Sequence, residues 1–317
     1  MEISWPLDST TVYGSAIRPD GPGPFPAAVL VAGSGPTDRD WNSPLLPGAN
    51  GSGKLIAEVL ARNGFASVRY DKRGIGPHGV QQLDALVGKV SMQSFADELA
   101  GAVRAAAEQL NSERIFAVAN SEGALHALHY QLRKPEIPLA GMVLIAPPGR
   151  VIGAVARSQL AAQAARLPNS DELLELFDQA IDRFLAGQPV DPDPALPEGL
   201  QQLLRSLETP INLPFTREFW TADAAELLGR IDIPVLVVIG KKDIQVDWQA
   251  DGDPLRRVAG TNVQFLFPEN ANHVLKQELR PRSDLTIGTD YNSPDALLDP
   301  QAMAAVTAWL ASVAATR

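Results

Sequence analysis

Apolar positions along the chain fall into two alternating kinds. Short uninterrupted runs at Ala27 to Ala32 (AAVLVA), Arg114 to Ala119 (RIFAVA), Leu139 to Ala146 and Pro234 to Ile239 (PVLVVI) predict strands buried on both faces. Phe65 to Tyr70 and Asn262 to Phe267 (NVQFLF) predict two more strands, and Thr11 to Arg18 reads as an edge strand before a turn at Pro19 to Pro26. Between these runs the spacing becomes helical. Gly53 to Asn63 places Leu55, Ile56, Val59 and Leu60 on one face, and Gly64 stops it. Ser91 to Leu110, Ser121 to Arg133 and Pro300 to Ala315 are further predicted helices.

Strand and helix in alternation imply right-handed crossovers and a mostly parallel sheet with helices on both faces, the α/β class. The alternation breaks in the middle. From about Gly149 to Asp223 only helical stretches are predicted, at Gln159 to Arg166, Ser170 to Ala186 and Gly199 to Ser206, with a Pro- and Asp-rich link, GQPVDPDPALPEG. The expected organisation is one core domain, residues 1–148 and 224–317, interrupted by a helical cap at 149–223.

Composition narrows the function classes. The chain has 317 residues, 45% of them apolar and 20% charged, enough for a sizeable core. Its formal charge of −10 argues against nucleic acid as a partner, since phosphate binding relies on a basic face. No apolar run reaches the roughly 20 residues of a membrane span. Met1 to Asp8 lacks the basic region and apolar stretch of a secretory leader. With no cysteine there is neither a disulfide framework nor a thiolate zinc site, and a cytoplasmic setting is expected. The pattern favours no oligomeric state.

The stretch that carries chemistry is RIFAVANSEGALHA, Arg114 to Ala127. An apolar strand runs through Ala119-Asn120-Ser121-Glu122-Gly123 straight into a helix, the layout of a nucleophile elbow. That strained turn needs small residues two before and two after the nucleophile, and Ala119 and Gly123 meet the need. A serine there is also a common helix cap, so the rest of the constellation decides. Elbow enzymes order their triad as serine, acid, histidine. PVLVVI is followed by Asp243, and NVQFLF by a loop carrying His273. Both therefore fall on the strand edge that holds Ser121, where open α/β sheets place their sites. An oxyanion hole requires two backbone amides. Glu122, after the nucleophile, supplies one. Ser34, between Gly33 and Gly35 after the first buried strand, is expected to supply the other. Asp247, on the same loop as Asp243, is an alternative acid ranked behind it.

The blocks AGSGPTDRDWNSPLLPG, SVRYDKRGIG, NSEGALHA, VVIGKKDIQV and PENANHVLK, in this order, resemble those of the α/β-hydrolase superfamily. They are most similar to its bacterial branch related to serine aminopeptidases and acyl-ester hydrolases, and the similarity extends to Thr289-Asp290-Tyr291-Asn292. The resemblance implies an eight-stranded sheet, a cap and a Ser121/Asp243/His273 triad. Relatives mostly read Gly-His-Ser-Glu-Gly at the elbow, so Asn120 stands in place of histidine and alters the pocket wall. Trp41 stands where relatives often have glycine and is expected to narrow the site. Gly33, Gly35, Trp41 and Asn120 are thus candidate pocket residues.

Three other motifs are weaker. Gly48 to Lys54 (GANGSGK) approaches a phosphate-binding loop, but Leu55 replaces the required Ser or Thr and no strand immediately precedes it. Gly74 to Gly79 matches GxGxxG, but Pro77 opens no helix; it reads as a loop anchored by Asp71 and Arg73. Glu122, His126 and His129 share a helix face at metal-pair spacing, and packing behind the elbow is the favoured reading. The expectation is acyl transfer from a small or medium-sized carboxylic ester to water, with no metal or organic cofactor. Amide, thioester, lactone or carbon–carbon bond hydrolysis on the same residues, or ligand binding without catalysis, are the alternatives.

Overall fold

The expected strands form in a computed structural model of the chain, which describes residues 1–165, 167–286, 293 and 295–316. Together with one more at the start of the chain, the strands are β1 (Glu2–Leu7), β2 (Thr10–Ile17), β3 (Ala27–Val31), β4 (Ala66–Tyr70), β5 (Ile115–Asn120), β6 (Gly141–Ile145), β7 (Val235–Val238) and β8 (Val263–Leu266). They build one eight-stranded sheet in the order β1-β2-β4-β3-β5-β6-β7-β8. β1, β2 and β4 pair antiparallel, and every pairing from β4 through β3 to β8 is parallel. Every residue of β3, β4, β5, β6 and β7 is buried, as strands covered on both faces require.

One strand was not legible in the pattern, and it corrects the place of another. Thr10–Ile17 is not the edge; β1 pairs outside it. β1 alternates Ile3 and Trp5 inward with Glu2 and Ser4 outward, but Pro6 interrupts it. A proline lacks the donor a central strand needs and is accommodated here because β1 is the edge.

The helices are α1 (Ser52–Arg62), α2 (Leu83–Leu86), α3 (Met92–Gln109), α4 (Glu122–Leu132), α5 (Ile152–Ala164), α6 (Ser170–Leu185), α7 (Glu198–Leu207), α8 (Phe215–Trp220), α9 (Ala224–Leu228), α10 (Gly252–Val258) and α11 (Pro300–Ala315). From β3 the chain crosses to β4 on one side and then to β5 on the other. Right-handed crossovers therefore put α1 and α3 on opposite faces. α11 packs beside α1, and α4 beside α3. Ser91 starts α3 with a reciprocal capping box to Ser94.

Between β6 and β7 lie α5 to α9. α5 starts well before the expected Gln159, and α8 was not foreseen, being a short helix of bulky residues (FTREFW) after a proline. Leu173, Phe177, Phe184, Leu204 and Leu207 form a second apolar cluster in this segment, apart from the main core around the sheet. Thr289 to Asn292 lies outside the described residues. Among the described residues, no helix is long and apolar enough to cross a membrane.

Candidate active site

The strand order reverses between β3 and β5, so the loops leaving their carboxyl ends diverge and open a crevice there. Val31 pairs with Ala119 at the end of both strands, which brings the Gly33 loop alongside Ser121. A Cβ added at Gly33 would lie 3.3 Å from the Ser121 Cβ.

Ser121 has φ 53° and ψ −119°, a conformation that L-residues rarely adopt. The turn is held by its own N–H, which donates to the Ile145 carbonyl at 2.8 Å. Although Ser121 precedes α4, its hydroxyl makes no capping hydrogen bond to the helix. The side chain is not spent as an ordinary cap. Gly123 explains the small residue after it: a Cβ there would meet the Ala32 and Val31 carbonyls at 2.6 and 2.7 Å. Ala119 is fully buried on the other side of the turn.

Asp243 follows β7 and His273 the loop after β8. The His273 Nδ1 lies 2.8 Å from Asp243 Oδ2. A carboxylate can only accept, so Nδ1 carries a proton and donates to it, and Nε2 is the ring nitrogen turned away from the acid. The other Asp243 oxygen accepts from the Gln245 and Val246 amides at 2.7 and 3.0 Å, and the side chain is fully buried. Asp247 is engaged elsewhere. Its Oδ1 accepts from the Gln249 and Ala250 amides, and its Oδ2 takes Arg282 at 2.7 Å. Arg282 also donates to the Asp243 carbonyl at 2.9 Å, tying the acid loop to the segment after His273.

Ser121 and His273 line one cavity of about 340 Å3 with Gly33, Ser34, Trp41 and Asn120. Its far wall comes from the segment between β6 and β7, through Ile152, Val155, Gln159, Phe219 and Trp220. Trp41 is buried with φ 69°, the left-handed region that favours glycine. Ser34 is exposed, and among the described residues its N–H has no acceptor. The Glu122 N–H opens α4 and has no intrahelical partner.

Two side chains do more here than the sequence revealed. Asn120 donates from Nδ2 to the His273 carbonyl at 2.9 Å, linking the elbow to the histidine loop. Lys72 is buried below the Gly33 loop and reaches Glu122 Oε1 at 2.6 Å. Its place just past β4, on the same strand edge, was the available sign. Burial alone would raise the Glu122 carboxyl, but the Lys72 ammonium and the bonds from His126 and Lys72 outweigh it and hold it at about 2. His126 Nε2 lies 3.0 Å from the same oxygen, and its ring stacks on Phe95. Burial pushes the His126 pKa down despite Glu122, so the ring is neutral and donates through Nε2.

The weaker motifs resolve into structure. Lys54 is exposed on the first turn of α1. Asp71 pairs with Arg39, and Arg73 with Glu98, so both anchor the loop after β4. Among the described residues, no group of three or more His, Cys, Asp or Glu side chains could hold a metal ion.

Comparison with known proteins agrees with this architecture. The family described as serine aminopeptidase, S33, matches residues 50–194, a stretch that includes Ser121 and stops before Asp243. The esterase EstD of Thermotoga maritima is 29% identical over 271 residues, covering 83% of this chain and 57% of that protein. The chain therefore spans little more than half of that relative. Proline iminopeptidase of Mycobacterium smegmatis superposes with a TM-score of 0.58 at 16% identity, over 99% of this chain and 98% of that one. A thermophilic esterase from Thermogutta terrifontis gives 0.54 at 17% identity, over 99% of both chains. With this sheet order and these likenesses, the chain has the α/β-hydrolase fold and is similar in sequence to serine aminopeptidases and esterases that share it.

Proposed function

We propose that the protein is a serine hydrolase that cleaves carboxylic esters of small or medium-sized molecules through an acyl-enzyme. The observation that carries this reading is the His273–Asp243 hydrogen bond of 2.8 Å in a cavity shared with a strained Ser121. His273 takes the Ser121 proton through Nε2 as the hydroxyl attacks the ester carbonyl. Asp243 keeps the ring in that tautomer and stabilises the imidazolium. The Ser34 and Glu122 amides, both without an acceptor among the described residues, hold the tetrahedral oxyanion. His273 then protonates the leaving alcohol and activates the water that releases the acid. Asp247, with both oxygens engaged, is left to a structural role.

Residues 149–223 act as a cap in this reading, with their own apolar cluster and with Ile152, Val155 and Trp220 roofing the cavity. Among the described residues the lining is mostly apolar, and the carboxylate they contribute, Glu122, is committed to Lys72. That described lining is complementary to a neutral ester. The names of the esterase relatives point the same way. A cytoplasmic setting suits a chain with no cysteine to oxidise.

The test is intact-mass analysis after a small fluorophosphonate, on wild type and Ser121→Ala. The expected result is one adduct, lost in the variant, followed by turnover of p-nitrophenyl esters with a preference for short to medium acyl chains. A folded wild type that takes no adduct and turns over no ester would defeat the catalytic reading in favour of a binding protein.

A further inference from the structure

Lys72 is an unusual residue to bury. Its side chain is 7% exposed and that of Glu122 2%, and they meet at 2.6 Å. Removing two charges from water to make such a pair is rarely favourable against an apolar filling, so stability is a weak account of it. What the ammonium touches gives a stronger one. Besides Glu122, its Nζ donates to the Gly33 carbonyl at 2.5 Å and the Gly35 carbonyl at 3.3 Å.

The Gly33–Ser34 peptide is trans. In a planar trans peptide the C=O and the following N–H point in opposite directions. With the Gly33 carbonyl turned down onto buried Lys72, the Ser34 N–H must point the other way, on the side where Ser34 lines the cavity. The peptide after Gly35 ends on Pro36, which has no N–H, so the second carbonyl contact fixes the loop without adding a competing donor. Glu122 anchors the other half. Its own N–H is the amide next to the nucleophile, while its carboxylate is gripped by Lys72 and by His126 at 3.0 Å. One ammonium therefore bridges the two loops that diverge at the strand reversal.

We propose that Lys72 and Glu122 form a buried clamp that sets the direction and separation of the two oxyanion donors, making both of them positioning residues for ester hydrolysis. The clamp rests on the reading of the site given above. It predicts that its loss weakens transition-state binding while leaving ground-state binding nearly intact.

The experiment uses the full chain and a p-nitrophenyl ester, with phenylboronic acid as a mimic of the tetrahedral state. Lys72→Met alone leaves Glu122 as a bare buried anion and is expected to melt early. Lys72→Met/Glu122→Gln leaves no charge behind and carries the test. The expected result is cooperative melting, kcat lower by about 100-fold, KM within about threefold, and a boronate Ki weakened in parallel with kcat. Lys72→Arg keeps the charge but spreads it over a planar fork, and should fold normally with kcat down about tenfold. A folded double variant, or a Lys72→Arg variant, with kcat and boronate affinity unchanged overturns the clamp. Wild-type labelling at Ser121 keeps the two ideas apart. An inert wild type would defeat the ester reading itself, whereas active wild type beside equally active variants defeats the clamp alone.

Discussion

Asp251 holds the root of the β6–β7 segment against the loop that carries the proposed catalytic acid. It is fully buried at the start of α10, and its two oxygens accept from four donors. Oδ1 takes the Gly149 amide at 3.1 Å and Arg150 Nε at 3.0 Å. Oδ2 takes a second Arg150 nitrogen at 2.9 Å and the Asp247 amide at 2.9 Å. Asp251→Ala removes all four at once. Breaking a buried ion pair costs about 3–5 kcal/mol when the surviving charge is trapped. Here the Arg150 side chain is 27% exposed and can turn toward water, which lowers that part to about 1–2 kcal/mol. The Gly149 amide is buried and loses the one acceptor it has among the described residues, at about 1–3 kcal/mol, while the Asp247 amide is part-exposed and adds less. The total is about 3–4 kcal/mol. With a urea slope of about 3 kcal/mol per molar, the unfolding midpoint should fall by about 1 M, read by circular dichroism. Ester KM should rise in the folded variant, because the cavity roof and the acid loop lose their common anchor. A midpoint within about 0.3 M of wild type, with unchanged KM, would refute the reasoning.

Asp243→Asn should lower kcat by about four orders of magnitude by favouring the wrong His273 tautomer, whereas Asp247→Asn should stay within about tenfold; ester kinetics showing the reverse would move the acid to Asp247. Asn120→Ala frees the His273 carbonyl from its 2.9 Å tether and should reduce kcat about tenfold while Ser121 still takes a fluorophosphonate, and an unchanged kcat would remove Asn120 from the positioning of the base. Acid should destabilise the protein in two stages. His126 is buried neutral with its pKa below the ordinary 6.5, so the unfolded chain binds more protons and stability is lost as pH falls below 6.5. Glu122, depressed from 4.5 to about 2, contributes stability that is lost as pH falls from 4.5 toward 2. Melting of His126→Gln between about pH 7.5 and 5 should be flatter than that of wild type; parallel slopes would contradict the neutral buried ring.

Much of this protein was written along the chain. Runs such as Ala27–Val31 and Val235–Val238 are apolar at every position, and only a strand covered on both faces has a use for that pattern. Small residues at Ala119 and Gly123 flank Ser121 because strand β3 passes within van der Waals distance, a demand that acts locally and so marks the local sequence. Asp243 and His273 each follow a strand, and a parallel sheet sends every such loop to one edge.

The tertiary structure decided what lies opposite a buried polar group. The elbow amide of Asn120 meets a carbonyl 153 residues away, and Asp251 meets Arg150 across 101 residues. Periodicity records which face of an element is buried, but not which atom waits across the gap. Lys72 was therefore visible only as a lysine after a strand. Its part became readable when β3, β4 and β5 lay side by side and set one ammonium between the Gly33 carbonyl and the Glu122 carboxylate. The same holds for β1, whose Pro6 argues against a strand until β2 is seen to shield it on one side and leave the other edge open. Local chemistry selects elements and candidate residues; the partners of buried charges are set by distances that exist only once the sheet has formed.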